Sequence, residues 1–358
     1  MREAEGSLRT AGILMPAIHT RPTGGNVFNR RVLDVLAATL PLRRRVLRDG
    51  DWPSLAPGLW LVDSLLLDAV ARRLAAGAPG VTAVLLVHHL HLLDPEQRQS
   101  GQAAAERRLL PLFAGAVATS RYSREALQAA GLAPGCVVTV APGLDARYRT
   151  ALPLRPSPGP PRVLTVASLL PGKGLLELLA VLEECADLPW RWEVAGDPEL
   201  DPGYAQAFAA RLRRSPVSGR VRLRGPLPPA RLAALYDRCH LFALASRFES
   251  CGMAVREAMA RGLPVAAYAV GGLPESLPPE TAHLLAPAGD AGRLGTVVRR
   301  LLADHGARAA AGRANRRAAA AFPSWEESGA GLERFLRGLG GGAALPLSPA
   351  PAVRSLAP

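Results

Sequence analysis

The stretch Ser246–Glu275, SRFESCGMAVREAMARGLPVAAYAVGGLPE, decides how the chain is read. It begins where an apolar run, HLFALAS, has the length and composition of a buried strand. A short loop then carries Glu249, and a helix is expected to start near Cys251 and Gly252. Glycine at that point lets a ligand approach the backbone, while free N–H groups and the helix dipole favour a phosphate. Glu257 falls about five residues into this helix, which is roughly 7–8 Å along the axis at ~1.5 Å per residue. That is about the span from a bound pyrophosphate to the ribose hydroxyls, and a carboxylate there can accept from both. Glu249, outside the helix, faces the sugar side of the phosphate. Two isolated glutamates would suit a surface acid on an ordinary amphipathic helix equally well, so their surroundings have to decide.

Outward from this stretch the same strand–turn–helix order recurs. In ASLLPGKGLLELLAVL a strand ends and a helix follows Pro171, Gly172, Lys173 and Gly174. Lys173 is the one lysine beside 42 arginines, and it sits between two glycines at a helix N-terminus, where a phosphate is well placed. In PTGGN, Gly24 and Gly25 join the first strand to the first helix and permit tight passage of backbone past a phosphate or sugar. The pattern is not G-x-G-x-x-G, which argues against a dinucleotide oxidoreductase. In LLVHHLHLLDP, His88, His89 and His91 follow a buried strand. Neighbours on a strand point to opposite faces, so metal binding is disfavoured, and a structural histidine is one reading of His88.

Short apolar runs alternate with helical patterns in both halves, so the fold class is α/β with parallel sheets wrapped by helices. AGILMPAI, VTAVLLVHH, GAVATS and VVTVAPG are the strand candidates of residues 1–148, with helices in NVFNRRVLDVLAATL and SREALQAAG. Residues 149–161, RTALPLRPSPGPP, read as a proline-rich interdomain linker. Alternation resumes with RVLTVAS, WRWEVAG, RVRLRG, HLFALAS and PVAAYAV, and residues 162–337 read as a second domain closed by consecutive helices. Residues 338–358 have the composition of a disordered tail.

Hydrophobic residues make up 49% and charged residues 20% of the 358, a globular composition long enough for two domains. No apolar run approaches the ~20 residues of a membrane helix, and the start reads as a buried strand rather than a secretory signal. Cys136, Cys185, Cys239 and Cys251 are too far apart for a metal or redox pair, which fits a reduced cytoplasm. The net charge of +13 comes with two isoleucines and three asparagines, the bias of a GC-rich coding sequence. The other reading of that charge is peripheral contact with an anionic membrane through Arg30, Arg31, Arg43, Arg44, Arg45 and Arg48. No nucleic-acid-binding motif is present.

With these residues in place, Ser246–Glu275 resembles the retaining family-4 glycosyltransferases of GT-B fold, whose E-x7-E signature is matched by Glu249 and Glu257. The resemblance covers, more loosely, nearly the full chain up to about Arg337. It implies two facing Rossmann-like doubly wound domains with a cleft between them, the donor held mainly by the second and the acceptor by the first. It implies transfer from a nucleotide diphosphate sugar with retention, and no divalent metal or other cofactor. Residue by residue, it implies that Glu257 holds the ribose, Glu249 contacts the transferred sugar, and Cys251, Gly252 and Met253 offer backbone N–H groups. Lys173 then grips the phosphates, His88 lies against the donor sugar, and Gly24 and Gly25 fall on a glycine pair of similar enzymes. Asp145, in APGLDARY, matches a turn of the family that the chain resembles, which implies a structural role. One position departs: where the family usually has an arginine, five residues before the lysine, this chain has Ser168. Either the diphosphate has one cationic contact fewer, or Arg247 supplies it. Two rival readings stand beside transfer: a non-catalytic nucleotide-sugar-binding protein, and a peripheral membrane glycosyltransferase acting on a lipid acceptor. Base, sugar and acceptor are not named by the sequence.

Overall fold

The computed structural model describes residues 11–48, 51–149 and 159–340. They divide into two units, Met1–Gly143 with Trp325–Pro358, and Leu144–Ser324. In the first unit the elements run β1 (Ala11–Pro16), α1 (Gly24–Leu36), β2 (Leu42–Leu47), β3 (Gly58–Asp63), α2 (Leu67–Ala75), β4 (Val81–Val87), α3 (Gly101–Leu109), β5 (Gly115–Ala118), α4 (Arg121–Ala129) and β6 (Val137–Thr139). The strands form one sheet in the order β2-β1-β3-β4-β5-β6, every pairing parallel. Strand β1 is buried along its whole length, as expected of a parallel strand covered on both faces. The edge strand β2, LRRRVL, is mostly exposed, and its arginines keep that edge in water.

The second unit runs α5 (Ala146–Arg149), β7 (Arg162–Val166), α6 (Leu175–Glu183), β8 (Arg191–Ala195), α7 (Pro202–Arg213), β9 (Val221–Gly225), α8 (Pro229–Tyr236), β10 (Leu241–Leu244), α9 (Met253–Ala260), β11 (Val265–Tyr268), α10 (Pro279–Ala282), β12 (Leu285–Ala286), α11 (Ala291–Ala303) and α12 (His305–Ala319). Its sheet is parallel too, in the order β12-β11-β10-β7-β8-β9. Alternate residues feed two cores: Leu241 and Ala243 join Trp190, Trp192 and Phe208, whereas Phe242 and Leu244 join Tyr236 and Met259. Each sheet reverses its strand order once, between β1 and β3 in the first unit and between β7 and β10 in the second. In open parallel sheets the crevice beyond the strand ends at such a reversal is where ligands bind.

The division differs from the one read in the sequence at both ends of the second domain. The boundary falls at Gly143/Leu144 rather than at residue 149, because Leu144 and Tyr148 pack into the second unit's core. The last helix, α13 (Trp325–Gly340), belongs to the first unit and not to a domain 162–337. Its reason is apolar: Leu332 and Leu336 are fully buried, and the Trp325 ring meets Phe28 edge-on at 6.0 Å. Gly329 lies so close to α1 that a Cβ there would stand 2.3 Å from Val35 Cγ1. Helix α13 also reaches Gly340, so 338–340 are helical rather than the start of a disordered tail. The remainder of that tail and residues 150–158 of the expected linker lie outside the described residues.

Candidate functional site

Two loops meet at the reversal of the second unit, one after β7 and one after β10. The β7 loop is shaped by Gly174, which adopts a left-handed φ of 62° and packs so tightly that a Cβ would lie 2.0 Å from the carbonyl oxygen of Ala245. The Arg247 N–H donates to the Gly172 carbonyl at 2.9 Å, tying the second loop to the first. Across this junction the Lys173 ammonium donates to Glu249 Oε1 at 2.7 Å. Both side chains are partly buried, so the lysine and glutamate singled out in the sequence come together from opposite sides of the reversal. Ser168 is half-buried in the first turn of the β7 loop, with its carbonyl accepting from the Leu170 N–H. Arg247 is exposed, and its charge reaches Tyr204, whose hydroxyl lies at the start of α6. The hydroxyl of Ser246, buried just before it, has no hydrogen-bond partner among the described residues.

Helix α9 begins at Met253, immediately after Gly252 in the left-handed region at φ 73°, and no side chain caps it. Its leading N–H groups are therefore left for solvent or a ligand. Cys251 is buried and accepts from Arg256 Nη1 at 3.7 Å, while the Arg256 guanidinium lies 4.2 Å over the Phe322 ring. One turn on, Glu257 accepts from the Tyr236 hydroxyl at 2.9 Å. Desolvation pushes the Glu257 carboxyl up to about 7, with Asp145 adding to the rise and the Tyr236 hydroxyl opposing it. Sequence reasoning missed Tyr236 and Tyr148, which pack edge-to-face at 5.6 Å beside Glu257. Neither carries a local signal, since LAALYDR reads as an ordinary buried helix. Asp145, read as structural, acts electrostatically on the candidate ribose carboxylate.

In the first unit, the loops after β1, β3 and β4 converge. His88 follows β4, and Gly25 lies so near its ring that a Cβ would stand 2.9 Å from His88 Cγ. Gly25 thus admits the imidazole, a contact the sequence did not reveal. His88 Nε2 lies 2.7 Å from Asn29 Oδ1, and Asn29 Nδ2 donates to Asp63 Oδ2 at 2.6 Å. The Ser64 hydroxyl accepts from the N–H groups of His88 and His89. Phe28 closes on the His88 ring at 5.3 Å. Burial lowers His88 below the ordinary imidazole value, with Asp63 pulling the other way. His91 is turned aside to Glu106, which accepts from its ring Nδ1 at 2.8 Å and from its backbone N–H. Among the described residues no group of three or more His, Cys, Asp or Glu could hold a metal ion, and no helix is long and apolar enough to cross a membrane.

The family described as Glycosyl transferases group 1 matches residues 160–304, the span that holds Ser168, Lys173, Arg247, Glu249, Gly252 and Glu257. A D-inositol 3-phosphate glycosyltransferase of Segniliparus rotundus is 35% identical over 58% of this chain and 46% of its own length. One from Catenulispora acidiphila is 30% identical over 71% of this chain and 66% of its own. The chain therefore matches between about half and just under two thirds of the length of these relatives. Among solved structures, Anabaena HepE in complex with UDP-glucose superposes with a TM-score of 0.75 at 18% identity, covering 91% of this chain and 99% of that one. With two parallel six-stranded sheets, the fold is GT-B. Residues 160–304 thus match the group 1 glycosyl transferases, and the chain as a whole has the GT-B fold.

Proposed function

We propose that this protein transfers a sugar from a nucleotide diphosphate sugar to an acceptor, with retention of configuration. The observation that carries the reading is the Lys173–Glu249 pair at the strand-order reversal, beside the uncapped start of α9. An ammonium on the loop after β7 and free N–H groups at the start of α9 are groups of the kind that stabilise a departing diphosphate. In this reading Lys173 and the N–H groups near Cys251, Gly252 and Met253 hold the phosphates, Glu257 accepts from the ribose, and Glu249 orients Lys173 and meets the sugar. Arg247 takes the cationic place that Ser168 leaves vacant. Within the first unit, His88, with Gly25 against its ring, offers an imidazole to a sugar hydroxyl. No divalent metal is required, because these groups already supply the positive field. The UDP-glucose in the Anabaena structure supports a uridine nucleotide as donor, and the relatives' names support a small polyhydroxylated acceptor. Unpaired thiols at Cys136, Cys185, Cys239 and Cys251 support a cytoplasmic setting.

A thermal-shift screen with UDP, GDP and ADP sugars tests the donor half, because a ligand of the folded state raises its melting temperature. Turnover with the stabilising donor, followed by the anomeric configuration of the product, tests the rest. Binding without transfer across a broad acceptor panel would instead make this a nucleotide-sugar-binding protein. A membrane-associated version of the reading is favoured by one surface: Trp52, 59% exposed, lines a shallow pocket with Arg45 and Val46 beside exposed Arg43 and Arg44. Flotation with anionic liposomes, lost on Trp52→Ala, is the result that version expects.

A further inference from the structure

The grouping around His88 contains a chain of forced choices. The Leu65 N–H donates to Asp63 Oδ1 at 2.9 Å, so that oxygen is committed to the backbone. The other, Oδ2, faces the Asn29 side chain at 2.6 Å. A carboxylate oxygen accepts, so the Asn29 amide must turn its NH2 towards Asp63 and its carbonyl oxygen towards His88. That carbonyl lies 2.7 Å from His88 Nε2, and a carbonyl cannot donate, so the imidazole must carry its proton on Nε2. Both Asn29 and Asp63 are 2% exposed, so water does not offer either an alternative partner. Gly25 and Phe28 flank the ring and oppose its rotation. Among the described residues no hydrogen bond is made to His88 Nδ1.

We infer that Asn29 and Asp63 are positioning residues that lock His88 as its Nε2–H tautomer, keeping Nδ1 a bare acceptor for a substrate hydroxyl. The hydroxyl rests on the reading of the site as one of glycosyl transfer; the lock does not. Burial, which lowers His88 below its ordinary value, keeps the ring neutral and the lone pair available. The arrangement sits at the strand-order reversal of the first unit: Asp63 ends β3, His88 follows β4, and Asn29 lies in the helix after β1. The sugar hydroxyl thus meets an acceptor whose polarity was decided two residues back.

The test is the tautomer itself, read from ring-nitrogen shifts of His88 in long-range 1H–15N spectra of the full-length chain, assigned with His88→Gln. The wild-type ring should show its proton on Nε2. In Asp63→Asn the new amide keeps its oxygen on Leu65 N–H and presents an NH2 to Asn29. The Asn29 amide must then flip and donate to His88 Nε2, which moves the ring proton to Nδ1. The exchanged pair Asn29→Asp/Asp63→Asn restores a carboxylate next to His88 and should return the proton to Nε2. A wild-type proton on Nδ1, or a tautomer indifferent to Asp63→Asn, overturns the lock. Transfer should fall about tenfold in Asp63→Asn, the loss of roughly one hydrogen bond to substrate, and recover in the exchanged pair. Equal rates in both tautomers overturn the positioning role. Shifts as stated with no turnover of any sugar nucleotide leave the lock standing and sink the transferase reading instead.

Discussion

The Lys173 ammonium and the Glu249 carboxylate lie 2.7 Å apart, although 76 residues separate them in the chain. Each hangs from the loop that ends a strand at the reversal, one after β7 and one after β10. A pair this accessible contributes ~1 kcal/mol or less to stability. Its consequence is positional: the flexible lysine stem is already held by Glu249 before any anion arrives, which lowers the ordering cost of binding one.

Lys173 gives an unusually clean chemical test, because an amine-directed reagent can modify only this side chain and the chain's amino terminus. A bound nucleoside diphosphate should protect it, since the anion covers the amine. Glu249→Gln should label faster than wild type in the absence of nucleotide, having lost the carboxylate that holds the ammonium. Intact-mass labelling with peptide mapping reads both. Equal rates with and without saturating nucleotide would place Lys173 outside the phosphate site.

Glu257 should make nucleotide binding depend on pH. In the proposed reading ribose hydroxyls donate to the ionised carboxylate, and burial holds that form back until about pH 7. Affinity for the nucleoside diphosphate should therefore rise between about pH 6 and pH 8, and Glu257→Gln should flatten the rise and weaken binding by ~1.5–3 kcal/mol at the upper end. The unliganded protein should show the opposite trend. Glu257 holds its proton more tightly folded than unfolded, so it adds stability below about pH 4.5 that is lost as pH climbs through about 7. Calorimetry across pH on wild type and variant decides it, and a pH-independent affinity removes Glu257 from the site.

Transfer should survive EDTA. In the proposed reading, Lys173 and the α9 N–H groups supply the field that a divalent ion would otherwise give to the departing diphosphate. Rates measured before and after chelation, then with added magnesium or manganese, give the answer. Loss on chelation with recovery on metal would assign the leaving-group role to a cation.

Gly329→Val should destabilise the first unit by about 1–3 kcal/mol, the range for overfilling a packed contact. The added side chain would collide with Val35, which α1 holds in place, and neither helix can shift without opening the Phe28–Trp325 contact. Scanning calorimetry should show one transition lowered and the other, belonging to Leu144–Ser324, unmoved. A variant as stable as wild type would mean α13 does not rest on α1.

Much of this was legible in the chain because its punctuation is local. Gly174 and Gly252 stand where a left-handed residue or close approach is needed, and the strands RVLTV, RWEVA, VRLRG, LFAL and VAAY form where apolar periodicity put them. Strands β2 and β3 escape an apolar-run reading, because LRRRVL carries too much charge to read as one and GLWLVD resembles the start of a helix-bearing run. The partners of the functional groups were the larger omission. Tyr236 and Asn29 reach Glu257 and His88 only through tertiary packing, across 21 and 59 positions, and nothing in their neighbourhoods marks them. Residue types show which group does chemistry; folding shows what holds it.

The return of α13 to the first unit changes the order in which the molecule can be finished. The second unit is complete once Ser324 has been made, whereas the first, begun earlier, still lacks the helix that covers Phe28 and Val35. On the ribosome, the later-starting unit can therefore mature before the earlier one, whose exposed apolar helix face waits for the last helix to emerge. A ribosome stalled or a message truncated before residue 325 leaves that face bare, so release of a shortened chain is an aggregation hazard rather than a tolerable loss of a terminal appendage. Full translation thus acts as a checkpoint on the first unit's solubility.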